Sequence, residues 1–174
     1  MTLAISHNQG GVLVLDAVVY AVSAYLFQQS FWLYISNTLI PIIGILILKQ
    51  TDHLQSNWIA WMFMALAFVY FGIGQIFDRV KRISNSLNNI HPFTAPFYFP
   101  AFLLSAVALA YASGDRMLAI QVYSAGVILY ALAGWLFREA LFIYPAAWLA
   151  AIPYYLAITL TPLEVRWYGL AWLP

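Results

Sequence analysis

Tyr130-Ala131-Leu132-Ala133-Gly134-Trp135-Leu136-Phe137-Arg138-Glu139-Ala140-Leu141-Phe142-Ile143-Tyr144-Pro145-Ala146 sets one pair of charges, Arg138 and Glu139, between two apolar runs. The runs continue outward to Met117 on one side and Leu160 on the other. Each is close to the ~20 residues that carry an α-helix across ~30 Å of hydrocarbon. Read through as a single helix, the segment would be roughly 60 Å long, twice the membrane thickness. A tight αα-hairpin with its charges at the lipid–water boundary is therefore expected, although neither Gly nor Pro marks the turn.

The same reading extends along the chain. Apolar stretches run over Gly11–Phe27, Phe31–Leu48, Trp58–Phe77, Ala95–Ala112, Met117–Phe137 and Ala140–Leu160. Gln28-Gln29-Ser30 and Ser113-Gly114-Asp115-Arg116 form further short polar breaks. Barrel strands alternate polar and apolar residues, and these runs do not. Helices satisfy their backbone hydrogen bonds internally, which lipid requires. The fold class expected is all-α: a polytopic transmembrane bundle of about six helices, occupying residues 1–174 as one transmembrane domain. Trp32, Tyr34, Trp58, Trp61, Tyr98, Trp135, Tyr144 and Trp148 lie near segment ends, where amphipathic rings bridge lipid and water.

Composition supports this. Of 174 residues, 64% are hydrophobic and 7% charged, against about 25% charged in ordinary soluble domains. Mean hydropathy is +0.83. Seven basic and six acidic side chains cannot cover a water-facing surface of this size, so the lipid bilayer is the expected partner. The net charge of +1 excludes a nucleic-acid partner, which needs clustered Lys and Arg. With no cysteine, disulfides, thiol nucleophiles and Cys-ligated metals are out. Met1–Gly10 lacks the positive charge and small-residue cleavage site of a signal peptide, so the first apolar run is expected to be retained.

The segments resemble one another. Adding 110 maps Tyr20, Phe27 and Tyr34 onto Tyr130, Phe137 and Tyr144; adding 60 maps Tyr70, Gly74 and Phe77 onto Tyr130, Gly134 and Phe137. An offset of 45 aligns Phe99-Pro100-Ala101 with Tyr144-Pro145-Ala146. Three tandem hairpins follow, over about 11–48, 58–112 and 117–160. Each has Tyr, a small residue four later and Phe three after that on one helix face. The small residue permits close helix approach. Residues 161–174 read as a tail, with Trp167–Leu173 too short to span: an interfacial anchor or the start of a truncated further unit.

The stretch Phe137-Arg138-Glu139-Ala140-Leu141-Phe142-Ile143-Tyr144-Pro145-Ala146 gives the chain a resemblance to large bacterial polytopic membrane proteins of unknown function. Those are built from many similar helices with aromatic-Pro-Ala openings. The resemblance implies a bacterial inner membrane. It implies no activity and carries over no functional residue.

The longest connection, Asp78–Thr94, carries Val80, Ile83, Leu87 and Ile90 at helical spacing among Arg79, Lys81, Arg82 and asparagines. It reads as a short helix in the headgroup plane or as a solvated loop. Arg79, Lys81, Arg82 and Arg138 are the candidate contacts to lipid headgroups. They outnumber Lys49, Arg116 and Arg166 on the other side, so the 78–94 loop is expected in the cytoplasm and both termini outside.

Asp16 is the charge set well inside an apolar run, and an intramembrane carboxylate is a functional candidate by default. In the second run Pro41 lacks an N–H and leaves the carbonyl of Asn37 without its helical partner. Asn37 is itself polar, between Ser36 and Thr38, so Asp16 and Asn37 are the candidate binding residues of a polar pocket between the first two helices. Alternatively Asp16 sits at the interface. His7, His53 and His91 lack metal-ligand spacing, so no metal is expected. No nucleophile motif, phosphate loop or paired carboxylate implies catalysis or a cofactor. Gly72-Ile73-Gly74 reads as a packing notch. The alanine pairs Ala106/Ala110, Ala108/Ala112, Ala146/Ala150 and Ala147/Ala151 mark helix contacts, within the chain, in a homo-oligomer or with a partner subunit. The leading expectation is a non-enzymatic membrane module serving as scaffold, subunit or anchor. A small-solute or ion transporter using Asp16 comes second, and a lipid-modifying enzyme third.

Overall fold

The computed structural model describes residues 2–27, 29–83 and 94–160. These form six helices: α1 (Thr2–Phe27), α2 (Phe31–Gln50), α3 (Ser56–Ile83), α4 (Ala95–Ala112), α5 (Arg116–Phe137) and α6 (Ala140–Leu160). No strand occurs among the described residues. All six helices are long and apolar enough to cross a membrane. Their outer surfaces suit lipid: Tyr25, Trp135, Leu141 and Trp148 are 83, 74, 73 and 80% exposed, and so much bare apolar surface would drive aggregation in water. This is the architecture of an integral membrane protein.

The breaks between helices fall where the polar residues stand. Two helices outrun their apolar stretches. The first helix begins at Thr2 rather than Gly11, and the third continues from Asp78 through Ile83. Hydropathy marks where a helix meets lipid, whereas only a breaker ends it. Neither extension contains Pro, and Arg and Lys are good helix formers. The six residues Asp78–Ile83, read from sequence as the opening of a loop or interfacial helix, are thus the end of α3. Leu87, Ile90 and the rest of 84–93 lie outside the described residues, as does the 161–174 tail.

Helix ends are closed locally. Asp115 caps α5, its carboxylate accepting from the N–H groups of Met117 at 2.9 Å and Leu118 at 3.2 Å. This satisfies donors that the first helical turn leaves open. At the other end Arg138 takes the left-handed conformation, φ 57° and ψ 31°, and reverses the chain within two residues. Glycine favours that conformation most, and here a non-glycine residue adopts it.

The chain divides into two compact units, Met1–Ala108 and Leu109–Pro174. The boundary lies in the last turns of α4. In the first unit α2 is the hub. It packs on α1 through a Tyr20–Trp32 ring stack at 5.7 Å and a Ser36 hydroxyl bond to the Ala17 carbonyl at 2.9 Å. It meets α3 where a Cβ on Gly44 would lie 2.5 Å from the Met62 sulfur. It meets α4 through an edge-on Tyr34–Phe99 pair at 6.5 Å. In α4, Ala101, Ala108 and Ala112 are fully buried, while Ala106 and Ala110 face outward. In the second unit α5 packs on α6, and Ala146 is buried whereas Ala147 and Ala151 are exposed.

Corresponding positions make corresponding contacts inside the hairpins. Phe77 meets Phe97 at 5.4 Å in the second hairpin, and Phe137 meets Phe142 at 5.3 Å in the third. A Cβ on Gly74 would lie 2.7 Å from the Tyr98 ring, and one on Gly134 would lie 2.9 Å from Ile143. In the first hairpin the equivalent small residue, Ala24, is buried, and the Tyr20–Trp32 stack matches the Tyr70–Phe97 contact at 6.4 Å. The offsets relating the second hairpin to the third are those found in the sequence, 60 for the outgoing helix and 45 for the return. The second and third hairpins close by letting the return helix press into a missing side chain.

Gly72, by contrast, has open space around it. In detergent melts, Gly74→Ala is expected to cost about 1–3 kcal/mol because the rigid Tyr98 ring must move. Gly72→Ala is expected to be neutral or to stabilise by up to about 1 kcal/mol through helix propensity. Equal melting points for the two variants would refute the notch.

Candidate functional site

The polar centre of the first unit is Asn37, 4% exposed at the meeting of α2, α3 and α4. Two prolines explain its surroundings. Pro41 cannot donate to the carbonyl four residues earlier, so the Asn37 carbonyl loses its helical partner. The Tyr70 hydroxyl of α3 donates to that oxygen at 2.8 Å. Pro100 of α4 does the same to the carbonyl of Pro96, and the Asn37 side-chain amide donates to that oxygen at 2.7 Å. Thus one residue accepts from α3 through its main chain and donates to α4 through its side chain.

Other hydroxyls in the helices are also hydrogen-bonded. Ser36 bonds across to α1. Thr38, Ser105 and Ser124 bond to carbonyls of their own helices, Ile35, Phe102 and Ile120. Among the described residues no buried side-chain nitrogen or oxygen lacks a partner. An unmade hydrogen bond is most costly where water cannot replace it. Ser36, Asn37 and Tyr70 are side chains whose bonds cross between helices.

Asp16 is placed differently. It lies on the exposed side of α1, flanked by exposed Val12, Leu15 and Val19, while its neighbour Ala17 faces α2. Asn37 points into the α2–α3–α4 junction. The two side chains proposed for a shared pocket therefore sit on opposite sides of the α1–α2 contact. The reason is periodicity: Ala17 and Ala24, one heptad apart, occupy the face that α2 covers, and Asp16 is turned about 100° from it.

The basic candidates are also accounted for. Arg79 is exposed beside Asp78 on α3. Asp78 itself accepts from the Tyr98 hydroxyl at 2.6 Å, tying the end of α3 to α4. Gly74 and Asp78 are one turn apart, so the ring that fills the notch carries the hydroxyl that reaches the carboxylate. Lys81 and Arg82 belong to the last turns of α3. Arg138 is exposed and terminates α5 in its left-handed conformation. His53 turns its Nδ1 to the Thr51 carbonyl, His7 belongs to α1, and His91 lies outside the described residues. No group of three His, Asp or Glu able to hold a metal gathers among the described residues.

Tyr70 and the Pro96 carbonyl were missed from sequence. The signal for the second was present: Pro100 frees the Pro96 carbonyl by the rule that singled out Asn37. The donor cannot be chosen from sequence, because it comes from another helix. No protein-family model, curated protein or solved structure matches the chain.

A double-mutant cycle tests the proline explanation. Tyr70→Phe should cost about 1–2 kcal/mol, the usual loss when a buried acceptor is orphaned. In a Pro41→Ala background the restored N–H serves the same carbonyl, so Tyr70→Phe should cost clearly less. Additive losses would show that Tyr70 acts through packing alone.

Proposed function

We propose that this chain is a non-enzymatic membrane module, a scaffold, subunit or anchor whose work is to hold a set of helices in a defined arrangement. The observation that carries this reading is the employment of Asn37. The most polar buried residue of the first unit spends its amide on the Pro96 carbonyl, and its own carbonyl is taken by Tyr70. A residue bound in this way fastens helices together and has little left to offer a passing solute. Ser36 likewise ties α2 to α1 through the Ala17 carbonyl.

We place the module in a bacterial inner membrane, from its resemblance to bacterial hairpin proteins. Arg79, Lys81 and Arg82 stand on the cytoplasmic side by the excess of Lys and Arg there. Arg79, Lys81 and Arg82, and separately Arg138, are our candidates for contact with anionic headgroups. A reporter inserted between Asn85 and Asn88 should report the cytoplasm, and a periplasmic signal would invert the orientation.

Transport offers the direct contrast. Proteoliposomes carrying the native chain or Asp16→Asn should show the same proton and cation leak under an imposed potential as empty vesicles. A flux above that background, lost in Asp16→Asn, would replace the module reading with a transporter.

A further inference from the structure

The outer face of α1 presents a carboxylate, Asp16, that is exposed among the described residues. Asp16 lies six residues inside one end of the apolar span Gly10–Phe27 and eleven from the other. At 1.5 Å per residue these are depths of roughly 9 and 16 Å. A side chain with a single methylene cannot reach back to water from there, as long Lys and Arg side chains can. The residues around it, Val12, Leu15 and Val19, are 51, 66 and 57% exposed and offer no hydrogen bond. In hydrocarbon such a carboxyl calls for a donor, and intramembrane carboxylates pair with basic or hydrogen-bonding groups.

We propose that the Asp16 face of α1 docks a transmembrane helix of a different membrane protein, one that carries a Lys or Arg at the depth of Asp16. Charge complementarity selects this occupant. A second copy cannot supply the cation, because all seven Lys and Arg residues of this chain stand at or beyond the ends of its apolar runs. The flanking valines and leucine give the partner helix a surface to pack against, and Asp16 sets its register. This rests on the module reading and names the chemistry of the partner such a module would hold.

The test uses the full chain, donor-labelled in phosphatidylcholine vesicles, and a synthetic acceptor-labelled helix of Leu and Ala with one central Lys. Energy transfer should report association with the native chain about tenfold tighter than with Asp16→Asn, the scale of one polar contact between membrane helices. Asp16→Glu should restore most of it, and replacing the Lys of the probe by Leu should abolish the difference. Circular dichroism of each variant confirms that the helices persist, as the exposed position of Asp16 leads one to expect. Equal association of native chain and Asp16→Asn would overturn the proposal. Energy transfer between two labelled copies of the chain that Asp16→Asn removes would overturn it too, assigning the face to self-association. Neither outcome produces an ion flux, so failure here is separable from failure of the module reading.

Discussion

Backbone hydrogen bonding in a medium without water is the constraint on which the first unit is built. A helix satisfies its own main chain, and every interior proline breaks that closure at one carbonyl. Pro41 and Pro100 each create such a vacancy, and both are answered from outside the helix that contains them. The answer to one vacancy, the Asn37 amide, sits on the residue whose carbonyl is the other. Three helices are thereby joined by two hydrogen bonds through a single residue. Hydrophobic contact gives little directional preference between helices immersed in lipid tails. These two bonds supply direction, and the glycine notches set the distance.

The all-helical class and the six membrane-length helices among the described residues were legible in the sequence. In this chain charge is so scarce that the pairs Asp115-Arg116 and Arg138-Glu139 each mark a turn. The repeat was legible too, in residues such as Gly74 and Gly134, because the close approach they allow leaves no freedom in side-chain size. What escaped was the true length of α1 and α3, since hydropathy reports the solvent around a helix and not its hydrogen bonding. Ser6 to Gln9 and Asp78 to Arg82 look like loops on that scale and are helical.

The candidate site was half visible. The prolines announced which carbonyls were open, but a single sequence does not say which of twelve tyrosines will arrive at one of them. Asp16 and Asn37 share a hairpin and looked like one pocket. Their separation depends on which side of α1 turns toward α2, and that is decided by small residues, Ala17 and Ala24, rather than by the polar ones. Polarity drew attention to the right residues, while packing decided where they point.

The second hairpin has apolar legs of unequal length, 24 residues over Asn57–Val80 and 18 over Ala95–Ala112. At the helical rise these measure roughly 36 and 27 Å. The Tyr98–Asp78 bond holds them together near the Asp78 end, so the excess accumulates at the start of α3, around Trp58 and Trp61. A bilayer thick enough to clothe the long leg leaves the short one drowned, and one fitted to the short leg forces the other to lean. Tilt of the long leg and local adjustment of the lipid are the two ways a mismatch between paired helices is taken up.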